Sequence, residues 1–316
     1  MRTRGAGTMR VAAIDCGTNS LRLLMADFEG NAMHELSRQM RIVRLGQGVD
    51  ATGKFAEDAL QRTFTVCDEY AAACKENGVE RIRFVATSAS RDASNREVFV
   101  EGVRQRLGVA PEVISGDEEA GLSFAGATRE LLGHEPAPYL VVDIGGGSTE
   151  FVVGSDAPEF ARSINIGCVR MTERHHLAEK PSQQMIGAAI SDIDASIAVA
   201  QQAVPLGEAH SFVAVAGSAT TVAAMALQLP HYDADAIHLT RLSLQQVSAV
   251  SEAFLSMSSA ERAALPFMHP GRVDVIPAGA LILRRVMERA GLQQVLISEH
   301  DILDGIAWSL AREMIP

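Results

Sequence analysis

Lysine is nearly absent from this 316-residue chain, occurring only at Lys54, Lys75 and Lys180. The 28 basic residues are otherwise arginine and face 39 acidic ones, for a net charge of −11. A balance this acidic makes a poor general binder of DNA, RNA or anionic lipid, because such binding needs a broad basic footprint. A polyanionic ligand remains compatible where arginines cluster, since arginine pairs bidentately with phosphate. Cysteine is scarce too. Cys16, Cys67, Cys74 and Cys168 form no Cys-x-x-Cys pair and no zinc spacing with histidine. Cys67 and Cys74 share the apolar stripe of a helix and read as small buried hydrophobes; a reducing compartment fits, and no base stands beside Cys16 to make it a nucleophile. No apolar run approaches the ~20 residues of a membrane span. Met1–Thr8 lacks the apolar core of roughly 7–15 residues that a secretory signal carries, and reads as a loose leader with Met9 as a second start. A cytoplasmic protein is expected.

The chain does carry an ordinary globular composition, 47% hydrophobic and 21% charged. It exceeds the ~250–300 residues at which single cores stop growing, so two domains are expected. Strand-like runs fall at residues 11–14, 21–27, 82–87, 140–143, 151–154, 212–216 and 295–298. Between them, Leu60, Phe64, Cys67, Ala71 and Cys74 keep helical spacing, as do Ile186, Ile190, Ile193 and Ile197 behind a Ser182 N-cap. A closing helix over 301–312 carries Trp308 on its apolar stripe. This mixture predicts an α/β fold. Gly133–Pro138, with two prolines, is the expected boundary and gives domains 9–132 and 133–316.

The chain repeats itself. Val11-Ala-Ala-Ile-Asp15-Cys-Gly17-Thr18-Asn19-Ser20 is echoed by Leu140-Val-Val-Asp143-Ile-Gly145-Gly146-Gly147-Ser148. Each is an apolar strand, then Asp-x-Gly-x-x-Ser, then a second apolar strand. Such a turn aims several backbone N–H groups one way and forms an anion nest suited to phosphate, with glycine permitting close approach of the backbone. A capped hairpin turn would explain one copy; two matched copies favour phosphate binding. Asp15 and Asp143 cannot hold a phosphate themselves, but a carboxylate can hold a divalent cation beside one. Glu150, across the second hairpin from Asp143, either alternates to solvent or brings a second carboxylate to the same metal.

Ser115-Gly-Asp117-Glu118-Glu119 opens a helix with the spacing of a capping box between Ser115 and Glu118. Glu119 falls beyond the box, on a different face, and is the acid left for chemistry; a carboxylate near a phosphate site can act as general base on water, but the residues alone make that the minority reading. Arg91 stands at a strand-to-helix turn, placed to touch phosphate or to pair with a surface acid. Gly217-Ser218 repeats that turn and either caps a helix or backs a phosphate. His175, His176, His231 and His269 lack metal spacing and read as surface or hydrogen-bonded histidines.

Together these stretches, with Asn165-Ile-Gly-Cys-Val-Arg170 and Asp274-Val-Ile-Pro-Ala-Gly279, resemble the exopolyphosphatase and guanosine pentaphosphate phosphohydrolase (Ppx/GppA) family over essentially the whole chain. The resemblance implies two ribonuclease-H-like domains of the actin, sugar-kinase and Hsp70 superfamily, with the site in the cleft between them and the last helix crossing back onto the first domain. It implies hydrolysis of the terminal phosphoanhydride of polyphosphate, with Glu119 as base and Asp143 and Glu150 as ligands of Mg²⁺ or another divalent cation. Asp15, Gly17, Thr18, Asn19, Ser20, Arg91, Gly145, Gly146, Gly147, Ser148, Gly217 and Ser218 would then bind phosphate. Guanosine pentaphosphate is the alternative substrate; a superfamily kinase and a non-catalytic polyphosphate binder are remoter readings. A homodimer is the family-level expectation. Longer family members carry further C-terminal helical domains, so a preference for short polyphosphate is expected here.

Overall fold

The computed structural model describes residues 8–312; all of the leader except Thr8 lies outside them. Among the described residues no helix is long and apolar enough to cross a membrane. The chain forms two compact units, one of residues up to Ser115 together with those from Ile302, the other of Gly116–Asp301.

The first unit holds a sheet ordered β3-β2-β1-β4-β5, with β1 Met9–Cys16, β2 Ser20–Glu29, β3 Ala32–Ile42, β4 Arg81–Ala86 and β5 Glu112–Val113. β1, β2 and β3 form an antiparallel meander; β4 runs parallel to β1, and β5 parallel to β4. Ala12, Ile14 and Cys16 alternate onto the face that packs with Leu60, Cys67 and Cys74 of the helix Glu57–Glu76. The helix Ile302–Arg312 packs on β1, β2 and β4 of this unit. Its Trp308 is half-buried and meets Phe28 edge-on, 5.0 Å between ring centroids.

The second unit holds a sheet ordered β10-β11-β9-β6-β7-β8, with β6 Tyr139–Ile144, β7 Thr149–Gly154, β8 Pro158–Ile164, β9 Ser211–Val215, β10 Thr240–Ser243 and β11 Gln294–Ile297. β6, β7 and β8 again form an antiparallel meander, with β9 parallel to β6. Read from β3 and from β8 respectively, the two sheets share one order over five strands. β6 is buried on both faces. Leu140, Val142 and Ile144 pack with Ile193 and Ile197 of the helix Gln183–Gln201, while Tyr139 and Val141 pack with Phe124 of the helix Gly116–Thr128. Ser182 caps the former helix, its hydroxyl accepting from the Met185 amide.

The expected boundary after residue 132 is corrected by this packing: the division falls at Ser115/Gly116, because the 116–128 helix lies on β6, β7, β8 and β9. The segment 133–138 is stitched into the same unit. Tyr139 Oη donates to the Leu131 and Glu135 carbonyls, and Ser211 Oγ donates to the Pro136 carbonyl at 2.8 Å. The helix from Ile302 belongs to the first unit, the crossing back that the resemblance implies for the end of the second domain. β3 and β8 were invisible as strands in the sequence because they are edge strands, mostly exposed and rich in polar residues, without an apolar alternation.

Candidate active site

Each repeated motif folds as a hairpin turn of the same form. The Gly17 amide donates to the Ser20 carbonyl at 3.0 Å, and the Gly145 amide donates to the Ser148 carbonyl at 3.0 Å. The carbonyls of the turns are taken up from behind. In the first unit the Thr18 carbonyl accepts from Gly46 and the Asn19 carbonyl from Val43 and Arg44. In the second, the Gly145 and Gly146 carbonyls accept from the first amides of the helix Cys168–His175. Gly46 and Gly167 make these approaches possible: a Cβ at 46 would meet the Thr18 methyl at 2.3 Å, and one at 167 would meet the Gly146 carbonyl at 2.4 Å.

The hairpins differ in what faces the aspartate. Asp15 stands opposite Arg22 in the β1–β2 ladder, with a guanidinium nitrogen 2.6 Å from its carboxylate. Asp143 stands opposite Glu150 in the β6–β7 ladder. Glu150 is 1% exposed, which decides against the solvent-facing alternative. The row continues to Ser163 on β8, whose hydroxyl donates to Glu150 Oε1 at 2.7 Å. Burial pushes the Glu150 carboxyl well up, and the charges of Glu119 and Asp143 add to the push. Among the described residues Glu150 Oε2 has no hydrogen-bond partner.

The helix Gly116–Thr128 runs over this row. Gly116 rests on Ser163, where a Cβ would come within 2.4 Å of the serine Cβ, and Ser123 Oγ donates to Asp143 Oδ2 at 2.5 Å. Positions 116, 119 and 123 share one helical face. Glu119 therefore lies above the carboxylate pair, buried to 7% exposure. Three acids converge on one buried spot, and like charges so placed are relieved by a proton or by a cation.

Arg91 lies on the short helix Ser88–Asp92, its guanidinium donating to the Ile114 carbonyl at 3.1 Å. Gly217 and Ser218 begin the helix Ala216–Ala226. A Cβ at 217 would meet the Arg272 guanidinium at 2.5 Å, so the Arg272 side chain rests on this glycine; that guanidinium donates to Thr221 Oγ1 at 3.0 Å. Cys16 is fully buried and its thiol is pushed well up by burial, which leaves it inert. The other three cysteines are free and buried as well.

The structure also gathers residues that sequence reasoning passed over. Glu130, His238 and His300 bring potential ligand atoms within 4.8 Å of one another and form a candidate site for a divalent metal ion. His238 Nε2 lies 2.9 Å from Glu130 Oε2, and its Nδ1 accepts from the Glu299 amide at 3.2 Å. That pattern puts the ring proton on Nε2, toward the carboxylate, so an ion entering through Nε2 would have to displace it. No local spacing could have revealed this group, because its members are brought together only by the fold. His175, by contrast, is hydrogen-bonded to Asp192 at 2.9 Å, and His269 Nδ1 accepts from the Gly271 amide.

Residues 24–313 match the Ppx/GppA phosphatase family, and the chain belongs to it. Exopolyphosphatase 2 of Mycobacterium tuberculosis is 48% identical over 315 residues, covering 96% of this chain and 98% of that protein. The guanosine-5'-triphosphate,3'-diphosphate pyrophosphatase of Aliivibrio fischeri is 28% identical and covers 96% of this chain but 59% of its own length. Among solved structures, an exopolyphosphatase-like protein superposes with a TM-score of 0.94 at 43% identity, over 98% of this chain and 100% of that one. The Aquifex aeolicus Ppx/GppA enzyme gives 0.80 at 30% identity, over 96% and 99%. The α/β fold is that of the family's solved members.

Proposed function

We propose that this chain is an exopolyphosphatase, releasing orthophosphate from the end of inorganic polyphosphate. The observation that carries the chemistry is the buried Asp143–Glu150 pair at the mouth of a glycine turn, with Glu119 above it. The substrate follows from the relative named Exopolyphosphatase 2, which matches at 48% identity along nearly its full length. Guanosine pentaphosphate is the second reading, favoured by the more distant pyrophosphatase relative, and would use the same residues in the same roles. The strand order common to both sheets supports two ribonuclease-H-like halves.

The residues fit a divalent cation. Two facing carboxylates, one with an oxygen unpaired among the described residues, are hard oxygen donors of the kind Mg²⁺ prefers. Asp143 and Glu150 would hold it, and when bound it would neutralise charge on the phosphate oxygens. Glu119 takes a proton from the attacking water. The water oxygen bonds to the terminal phosphorus as the bridging P–O bond breaks, leaving orthophosphate and a chain one phosphate shorter. The Asp15–Ser20 and Gly145–Ser148 turns donate amides to phosphate oxygens, with Arg91, Gly217 and Ser218 as further contacts.

The deciding experiment measures orthophosphate release with Mg²⁺ from short polyphosphate, long polyphosphate, guanosine pentaphosphate and ATP. Release mainly from polyphosphate is expected. Release mainly from the pentaphosphate moves the protein to the second reading, and release from none of the four removes the hydrolase.

A further inference from the structure

The Gly145–Ser148 turn is held by its carbonyl side, and one side chain completes the hold. The Gly145 carbonyl accepts from the Cys168 amide at 2.9 Å, and the Gly146 carbonyl accepts from Val169 at 2.9 Å and Arg170 at 3.1 Å. The backbone of the Cys168–His175 helix has no further amide to offer Gly147 in this series. There the Arg170 side chain takes over, its Nε donating to the Gly147 carbonyl at 2.7 Å. Arg170 is buried, at 9% exposure.

A trans peptide unit is planar, with its C=O and the following N–H pointing opposite ways. Carbonyls of Gly145, Gly146 and Gly147 drawn toward the 168–175 helix therefore turn the amides of Gly146, Gly147 and Ser148 to the other side. Arg170 governs the last of the three, the Gly147–Ser148 peptide. Glycine is the residue type that rotates most freely, so without that grip the peptide plane has little to hold it.

We propose that Arg170 is a positioning residue for phosphate binding: its guanidinium holds the Gly147 carbonyl so that the Ser148 amide faces the substrate phosphate. Arg170 acts through the backbone and does not touch the reacting atoms. The inference rests on the phosphohydrolase reading for its substrate, but the orientation of the turn can be tested by binding alone.

The experiment compares the wild type with Arg170→Met and Gly167→Ala. The second variant leaves every charge in place and presses a Cβ on the Gly146 carbonyl and the Gly147 amide, at 2.4 and 2.6 Å. Two readouts are taken: steady-state kinetics on short polyphosphate, and calorimetric binding of tripolyphosphate with Mg²⁺ to each protein carrying Glu119→Gln. In Arg170→Met, KM and the tripolyphosphate dissociation constant should both rise about tenfold, with kcat within about threefold, as expected for one lost orienting hydrogen bond. Gly167→Ala should shift in the same direction. A merely structural arginine would lower the melting temperature and leave KM and binding unchanged, which overturns the proposal. If Arg170→Met does not fold, Gly167→Ala decides: unchanged KM and binding overturn the proposal. If the wild type turns over none of the polyphosphates but binds tripolyphosphate, the catalytic reading fails and the binding comparison still decides this one. A wild type that does not bind tripolyphosphate sinks both.

Discussion

Asp143 faces Glu150 across its hairpin where Asp15 faces Arg22 across the matching one. The first pair is neutralised internally by an ion pair at 2.6 Å. The second is two buried carboxylates in facing positions, which destabilise each other unless a proton or a cation intervenes. Duplicated hairpins thus arrive at different chemistry through one ladder position.

If that pair holds the metal, chelation should abolish turnover and Mg²⁺ should restore it. Glu150→Gln should raise the Mg²⁺ concentration for half-maximal activity by about tenfold or more, since outright loss of a ligand costs at least that much. His238→Ala should leave the titration where it was. The reverse pattern would move the working metal to the cluster of Glu130, His238 and His300.

Glu119→Gln keeps the shape of the side chain and removes its basicity. Orthophosphate release should fall by roughly 10²–10⁴ in kcat, the usual contribution of a general base, with KM within a few-fold. Turnover within tenfold of the wild type would remove Glu119 from the base role.

Arg262 is 0% exposed and closes the end of the helix Leu244–Ser256, donating to the Phe254 and Met257 carbonyls at 3.0 and 3.1 Å and also to the Ala178 carbonyl. Arg262→Met leaves these carbonyls without their donor in a buried site. A loss of about 2–4 kcal/mol in denaturant unfolding is expected, at ~1–3 kcal/mol for each stranded group with partial relief from water. A loss below about 0.5 kcal/mol would show that water replaces the guanidinium freely.

Asp192 ties the Cys168–His175 helix to the Gln183–Gln201 helix. Burial raises its pKa, but hydrogen bonds from His175 and Arg174 outweigh that and hold it below the ordinary aspartate value. A depressed carboxyl contributes stability above its unfolded pKa and loses it as pH falls through the folded one. The melting-temperature advantage of wild type over Asp192→Asn should be present near pH 6 and shrink steadily as pH falls below the ordinary aspartate pKa of about 3.9. An advantage that persists at the acid end would mean the charge is not its source.

Much of this protein lay open in the sequence because the information was local. An apolar strand, an Asp-x-Gly-x-x-Ser turn and a second apolar strand specify a hairpin within fifteen residues, and helical stripes behind a cap such as Ser182 specify a helix. What tertiary structure decided involves residues far apart in the chain. The 116–128 helix joined the second unit because its Phe124 packs under β6, which no boundary signal at the prolines could report. Edge strands β3 and β8 exist because a neighbour supplies their hydrogen bonds, so their own side chains carry little pattern. Glu130, His238 and His300 meet only once their three segments are folded together, and Arg170 reaches the Gly147 carbonyl only because Gly167 lets its helix approach. Periodicity and turn chemistry are written in adjacent residues, whereas the approach of one backbone to another is settled by packing.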